Sequence, residues 1–196
     1  MQSAIENKKF TVEEYFIYEE SNEIRHEFIN GNLYEMSGAS REHHFICQNL
    51  LFFFMKFLKE KGYSIFIENM KVKIPEENIY FYPDIIVTHE TQTNQNRCAQ
   101  FQPEILAEVT SETTRTKDMI DKFLQYQKIS SLKYYLIAEQ DKPQIIIVSK
   151  NENGNWQSET YSGKEAIIDL PLFNITLPLK EIYNSIFIAE DRKSVV

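Results

Sequence analysis

Tyr82-Pro83-Asp84-Ile85-Ile86-Val87, together with Ile105-Leu106-Ala107-Glu108-Val109 further along, decides the reading of this chain. Both runs have the apolar, β-branched character of buried sheet, and a single carboxylate interrupts each. An unpaired buried carboxylate is expensive, so each acid needs a cation, a strong donor set or an exposed position. Two such acids on neighbouring strands can share one hard cation. Mg²⁺ takes one or two carboxylates together with waters and substrate phosphate. Pro83 cannot donate a ladder hydrogen bond, which favours a strand start or an edge just before Asp84 and places that acid where a strand enters an open cleft. Spacing alone favours a plainer reading: partly exposed strand acids with salt-bridge partners.

Working outward, the N-terminal side opens on a helix. Thr11-Val12-Glu13-Glu14 is a capping box, with Phe10 and Tyr15 placed as a hydrophobic staple, and the helix should run to about Ser21. The stretch from Glu27 to Tyr34 contains Asn30-Gly31, a strong two-residue hairpin signal. Ser40 is placed to cap a second helix that ends before Gly62. This helix is apolar nearly all round between Leu50 and Leu58, which suits a core or a dimer contact. Ser64 to Ile74 reads as one strand, as do Tyr80 to Val87 and Glu104 to Thr110; the polar segment from Thr91 to Gln102 reads as a loop. A third helix is expected from about Glu112 to Lys128, then strands at Lys133–Ala138, Gln144–Val148 and Trp156–Tyr161, and a closing helix over Leu179–Ile188. The pattern predicts an α/β chain, a mixed sheet flanked by helices.

The 196 residues suffice for one domain with a sizeable core, and 1–196 is read as a single domain. At 42% hydrophobic and 26% charged, the balance is that of an ordinary globular protein. The two cysteines, Cys47 in the apolar helix and Cys98 in the polar loop, suggest neither a disulfide framework nor a zinc site, so a reducing compartment is expected. No apolar leader is visible in residues 1–10, and the longest apolar run, Leu50 to Met55, is too short to cross a bilayer. The expected location is therefore cytoplasmic, without membrane contact. A net charge of −8 counts against a general DNA-coating protein, which needs a basic face. It leaves room for an enzyme whose carboxylates hold metal.

Glu27 with Gly31, Met36-Ser37-Gly38, and His43, Ile46 and Asn49-Leu50 form an ordered series of short blocks. Tyr82 to Val87, Pro103 to Ser111 with Thr114, then Asp118, Lys122 and Tyr126, and finally Tyr134-Tyr135-Leu136-Ile137 continue it. In that order they resemble the Uma-two family of restriction-endonuclease-like proteins, from Phe10 to about Tyr183. The resemblance implies a PD-(D/E)xK nuclease core, a restriction-endonuclease-like mixed sheet with an added N-terminal hairpin and C-terminal strands. It also implies Mg²⁺ (or Mn²⁺) held by Asp84, Glu108 and the backbone carbonyl of Val109, with no organic cofactor. The function implied is endonucleolytic hydrolysis of DNA by a water that the cation activates, in a homodimer if both strands are cut.

The superfamily motif carries lysine two positions after the second acid, where this chain has Thr110. In families of this kind the lysine is displaced onto the following helix, which makes Lys122 the candidate catalytic residue. On a helical projection Met119, Ile120, Phe123 and Gln127 share one side and Lys122 falls at its margin; an exposed Asp118–Lys122 ion pair is the plainer alternative. Glu27 matches a family acid and would orient a water or a second metal, or simply pair with Arg25 or a lysine. His43 fits the family spacing better than His44, although a helix-start imidazole is more often a cap or a packing group. The competing function is a non-catalytic binding or regulatory module on the same fold.

Overall fold

The computed structural model describes residues 8–36, 38–89, 99–100, 102–111, 117–184 and 186. The chain begins with α1 (Val12–Ser21), β1 (His26–Ile29), β2 (Asn32–Glu35) and α2 (Arg41–Leu58). There follow β3 (Tyr63–Ile67), β4 (Lys71–Lys73), β5 (Ile79–Phe81), β6 (Ile85–His89), β7 (Ala99–Gln100) and β8 (Ile105–Thr110). It then continues through α3 (Lys117–Tyr126), β9 (Tyr134–Glu139), β10 (Gln144–Lys150), β11 (Trp156–Ser162), β12 (Ile167–Leu170), β13 (Ile175–Pro178) and α4 (Leu179–Ile182).

Local chemistry sets the first elements. The capping box of α1 is complete: Glu14 N–H donates to Thr11 Oγ1 at 3.1 Å, and Thr11 N–H donates to Glu14 Oε2 at 2.9 Å. Asn30 and Gly31 both have positive φ, 49° and 89°, as a two-residue hairpin requires, and β1 pairs antiparallel with β2. A Cβ at Gly31 would stand 3.3 Å from the Phe10 carbonyl oxygen as well as being strained by its φ. Gly31→Ala should therefore cost about 1–2 kcal/mol, read as a lower urea midpoint at unchanged slope.

Strand order in the larger sheet is β11-β10-β9-β8-β6-β3, mixed because β8 and β9 run parallel while the other neighbours are antiparallel. That parallel pair needs a crossover, and α3 supplies it. One face of the sheet packs Val87, Ile105, Ala107 and Leu136 against Ile46, Leu50, Phe53 and Phe54 of α2 and against the β12–β13 hairpin with α4. On the other face Ile86, Leu106 and Ile137 meet Tyr126, Ile129 and Phe81. A second sheet, β2-β1-β5-β4-β7, holds α1 through Tyr15, Phe28 and Tyr80.

Three expectations change. The run from Ser64 to Ile74 is two strands in two sheets, because Glu68 and Asn69 take positive φ (48° and 35°) and turn the chain from β3 into β4. Tyr80 to Val87 is likewise cut at Tyr82-Pro83-Asp84, with β5 in the small sheet and β6 in the large one. The closing helix is a single turn, and the added C-terminal strands include a β12–β13 hairpin just before it, at positions that the periodicity did not mark. Within the polar segment, Ala99–Gln100 adds β7 beside β4, while Cys98 lies outside the described residues, as do Ser37 and Thr114. Cys47 is fully buried in the core, and α2 still leaves Phe52 exposed. No helix among the described residues is long and apolar enough to cross a membrane.

Candidate active site

A cleft of about 1120 Å³ opens where the chain crosses from the small sheet to the large one, and Glu27, His43, Asp84, Glu108 and Lys122 all line it. Each is delivered by a different element. Asp84 occupies the crossing itself, one residue before β6, as the proline rule suggested. The antiparallel register of β6 on β8 pairs Ile85 with Ala107, so its continuation would set Pro83 opposite Val109. The Glu104 and Thr110 carbonyls accept from Tyr134 and Gln140 amides, so the odd residues of β8 face β6. Val109 N–H therefore points into the gap, where it donates to Asp84 Oδ2 at 2.7 Å. Its carbonyl shares that side, where Pro83 has no N–H to offer.

Asp84 Oδ2 also lies 3.1 Å from His43 Nε2, while His43 Nδ1 lies 3.6 Å from Cys47 Sγ one turn along α2. His43 is thus neither cap nor packing group. The cap is Ser40, whose hydroxyl accepts from His43 N–H at 3.0 Å and donates to Gln140 at 2.8 Å. Burial opposes the charged imidazole, yet the Asp84 carboxylate, with Glu108 and Glu68 behind it, raises His43 above its ordinary value.

Glu108 sits on β8, whose residues are all buried. Its Oε1 accepts from Tyr126 OH at 2.9 Å and from Lys122 Nζ at 3.2 Å. Lys122 reaches on to Glu27 Oε1 at 2.8 Å, and its side chain is only 20% exposed. The helical projection is corrected here: Ile120 is exposed, and the inward line of α3 is Lys122, Phe123 and Tyr126. The Asp118 side chain lies outside the described residues. Of the two readings of Glu27, the structure shows an ion pair, but with Lys122 inside the cleft and not with Arg25, which binds Asn69 and the Glu19 carbonyl.

Burial raises Glu108 to about 7, against the pull of Lys122 and Tyr126 and with the push of Asp84 and Glu27. Burial would also strip Lys122 of its proton, but Glu108 and Glu27 overcome it and hold the ammonium charged. Tyr126 belongs to the series that carries the resemblance, but its contact with Glu108 was not foreseen, because helical periodicity marks it only as core. Thr110, where the motif carries lysine, has its hydroxyl buried without a hydrogen-bond partner among the described residues, as does Tyr135.

Three carboxylates, Glu27, Asp84 and Glu108, thus gather around one permanent cation, Lys122, with the His43 imidazole beside Asp84. Asp84 Oδ1 and Glu108 Oε2 take no hydrogen bond among the described residues, while the partner oxygen of each is held by two neighbours. This pair, with the Val109 carbonyl beside it, is a donor set of hard oxygens that suits Mg²⁺. His43, Cys47 and Asp84 also gather their ligand atoms within 4.8 Å, a softer set that shares Asp84.

Two uncharacterized proteins of Synechocystis are relatives. The protein sll1609 is 30% identical over 170 residues, covering 86% of this chain and 96% of its own length. The protein slr1290 is 26% identical over 178 residues, covering 91% and 93%. A crystal structure described as "a putative nuclease belonging to DUF820" from Anabaena variabilis superposes with a TM-score of 0.73 at 15% identity. It covers 91% of this chain and 99% of that one, which shows that the two share a fold. The model of one family, described as "Putative restriction endonuclease", matches residues 12–180, and the chain accordingly belongs to that family, Uma2.

Proposed function

We propose that the protein is a divalent-metal-dependent endonuclease acting on DNA, with Asp84, Glu108 and the Val109 carbonyl holding Mg²⁺ or Mn²⁺. The observation that carries this reading is the pair of oxygens, Asp84 Oδ1 and Glu108 Oε2, that take no hydrogen bond among the described residues, in a cleft lined by more acids than bases. When bound, the cation would supply Lewis-acid stabilisation of a scissile phosphate and lower the proton affinity of water. The chain's own part is orientation. His43 and the Val109 amide fix Asp84, while Tyr126 and Lys122 fix Glu108. Lys122, held protonated, serves as a fixed positive charge toward the phosphate and the charge developing on it, not as a base. Glu27 keeps that ammonium in place.

Cutting both strands would call for two such sites, and a homodimer is the simplest supply. The test is cleavage of plasmid and of short oligonucleotides in Mg²⁺, with chelator as the control. Mn²⁺ binding without cleavage of either substrate would favour the binding-module reading instead.

A pH signature follows from Glu108. Its proton, held up to about 7 by burial, must leave when the cation enters. Mn²⁺ affinity should therefore rise from about pH 6 to about pH 8 and then level off, with proton release by calorimetry that fades above that range. An affinity independent of pH would remove Glu108 from the ligand set.

A further inference from the structure

Behind the cleft wall lies a buried acid that the chemistry above does not use. Glu19, on α1, is 1% exposed. Its Oε1 accepts from the Tyr82 hydroxyl at 2.8 Å and from the His26 amide at 2.9 Å, and its Oε2 faces His26 Nδ1 at 3.0 Å. A carboxylate this deep is tolerable only when donors surround it. Both donor residues lead straight into the cleft. Tyr82 stands two positions before Asp84, and the ammonium of buried Lys71 lies 5.0 Å from the centre of its ring. His26 precedes Glu27 on β1, and strand alternation sends the first toward α1 and the second into the cleft. One carboxylate therefore ties together the two segments that deliver Asp84 and Glu27.

Building on the metal-site reading, we infer that Glu19 and Tyr82 are a positioning pair that fixes Asp84 relative to the Glu27–Lys122–Glu108 chain. The Tyr82-Pro83-Asp84 crossing belongs to neither sheet; its backbone is held by the Glu68 N–H, which donates to the Asp84 carbonyl at 3.1 Å, and by the Tyr82 N–H, which lies 3.5 Å from Glu27 Oε1. Its N-terminal end is pinned by the Tyr82 hydroxyl, and its C-terminal end by the Val109 amide and His43. Releasing the first pin lets Asp84 drift while every group that touches the cation stays in the chain.

The test compares Tyr82→Phe and Glu19→Gln with Tyr183→Phe. Tyr183 is an equally buried tyrosine whose hydroxyl donates to the Gln144 carbonyl, away from the cleft. Two readouts are taken: Mn²⁺ affinity by calorimetry, and hydrogen exchange of the Val109 amide, which reports its contact with Asp84 with or without metal. Tyr82→Phe and Glu19→Gln should each weaken Mn²⁺ about tenfold and speed Val109 exchange relative to its β8 neighbours. Tyr183→Phe should lower thermal stability and leave both readouts alone. Val109 exchange unchanged in Tyr82→Phe, or moved equally by Tyr183→Phe, overturns the inference. If the wild type binds no Mn²⁺, the metal reading fails by itself, and Val109 exchange alone decides the clamp.

Discussion

Asp84→Asn should reduce Mg²⁺-dependent cleavage by roughly 10²–10⁴-fold, equivalent to about 3–5 kcal/mol of transition-state stabilisation. The substitution keeps shape and, with the amide oxygen in the Oδ2 position, can keep both contacts made there, from Val109 N–H and from His43 Nε2–H. What it loses is the charge and a good ligand oxygen, so Mn²⁺ binding should weaken with it. Folding should not suffer. Asp84 pushes Glu108 toward its neutral form and favours the charged form of His43, so removing its negative charge relieves one interaction and weakens the other, and the apo melting temperature should change little. Cleavage rates, Mn²⁺ calorimetry and a thermal melt of the same preparation check all three. A variant that still cuts at the wild-type rate would remove Asp84 from the chemistry.

The second large effect is expected at Lys122. Lys122→Met leaves Glu27 and Glu108 in the cleft without their shared cation, and breaking such an enclosed pair costs roughly 3 kcal/mol. Glu108 can escape part of this by taking up a proton. Without the ammonium its proton affinity rises further above about 7. A carboxyl whose folded value is raised contributes most at low pH and loses that contribution as pH climbs through the folded value. The deficit of Lys122→Met should therefore be small near pH 5 and full near pH 8–9, as urea titrations at about those two values would read it. Cleavage should fall about 10²–10³-fold, while Mn²⁺ still binds through the untouched oxygens. A stability deficit independent of pH would mean that Glu108 does not titrate as its burial requires.

Much of this could be read from the chain, for a physical reason. Thr11 and Glu14, Asn30-Gly31 and Ser40 carry their instructions within three or four residues, and each does what its local chemistry dictates. The acids at 84 and 108 were conspicuous because burial of charge is costly anywhere, and they do converge. Less legible were the places where the chain changes sheet. A period-two pattern is indifferent to which sheet a strand joins, so Ser64–Ile74 and Tyr80–Val87 each looked continuous. The breaks were written only in Glu68-Asn69 and in Pro83. Contacts across the fold were out of reach altogether. Tyr126 on Glu108, Lys122 on Glu27 and Glu19 on Tyr82 join residues 18 to 95 positions apart, and no periodicity encodes such distances.

Pro83 has a meaning beyond the place where it sets Asp84. The two sheets meet along a seam, and hydrogen-bond ladders lengthen like zippers whenever the next rung is available. Any residue with an amide hydrogen at position 83 could offer that rung to Val109 and let β6 extend backwards along β8. The zipper would then close over the oxygen atoms that the cleft depends on. A missing hydrogen keeps the seam open, and the opening at the heart of this molecule is maintained by a bond that cannot form.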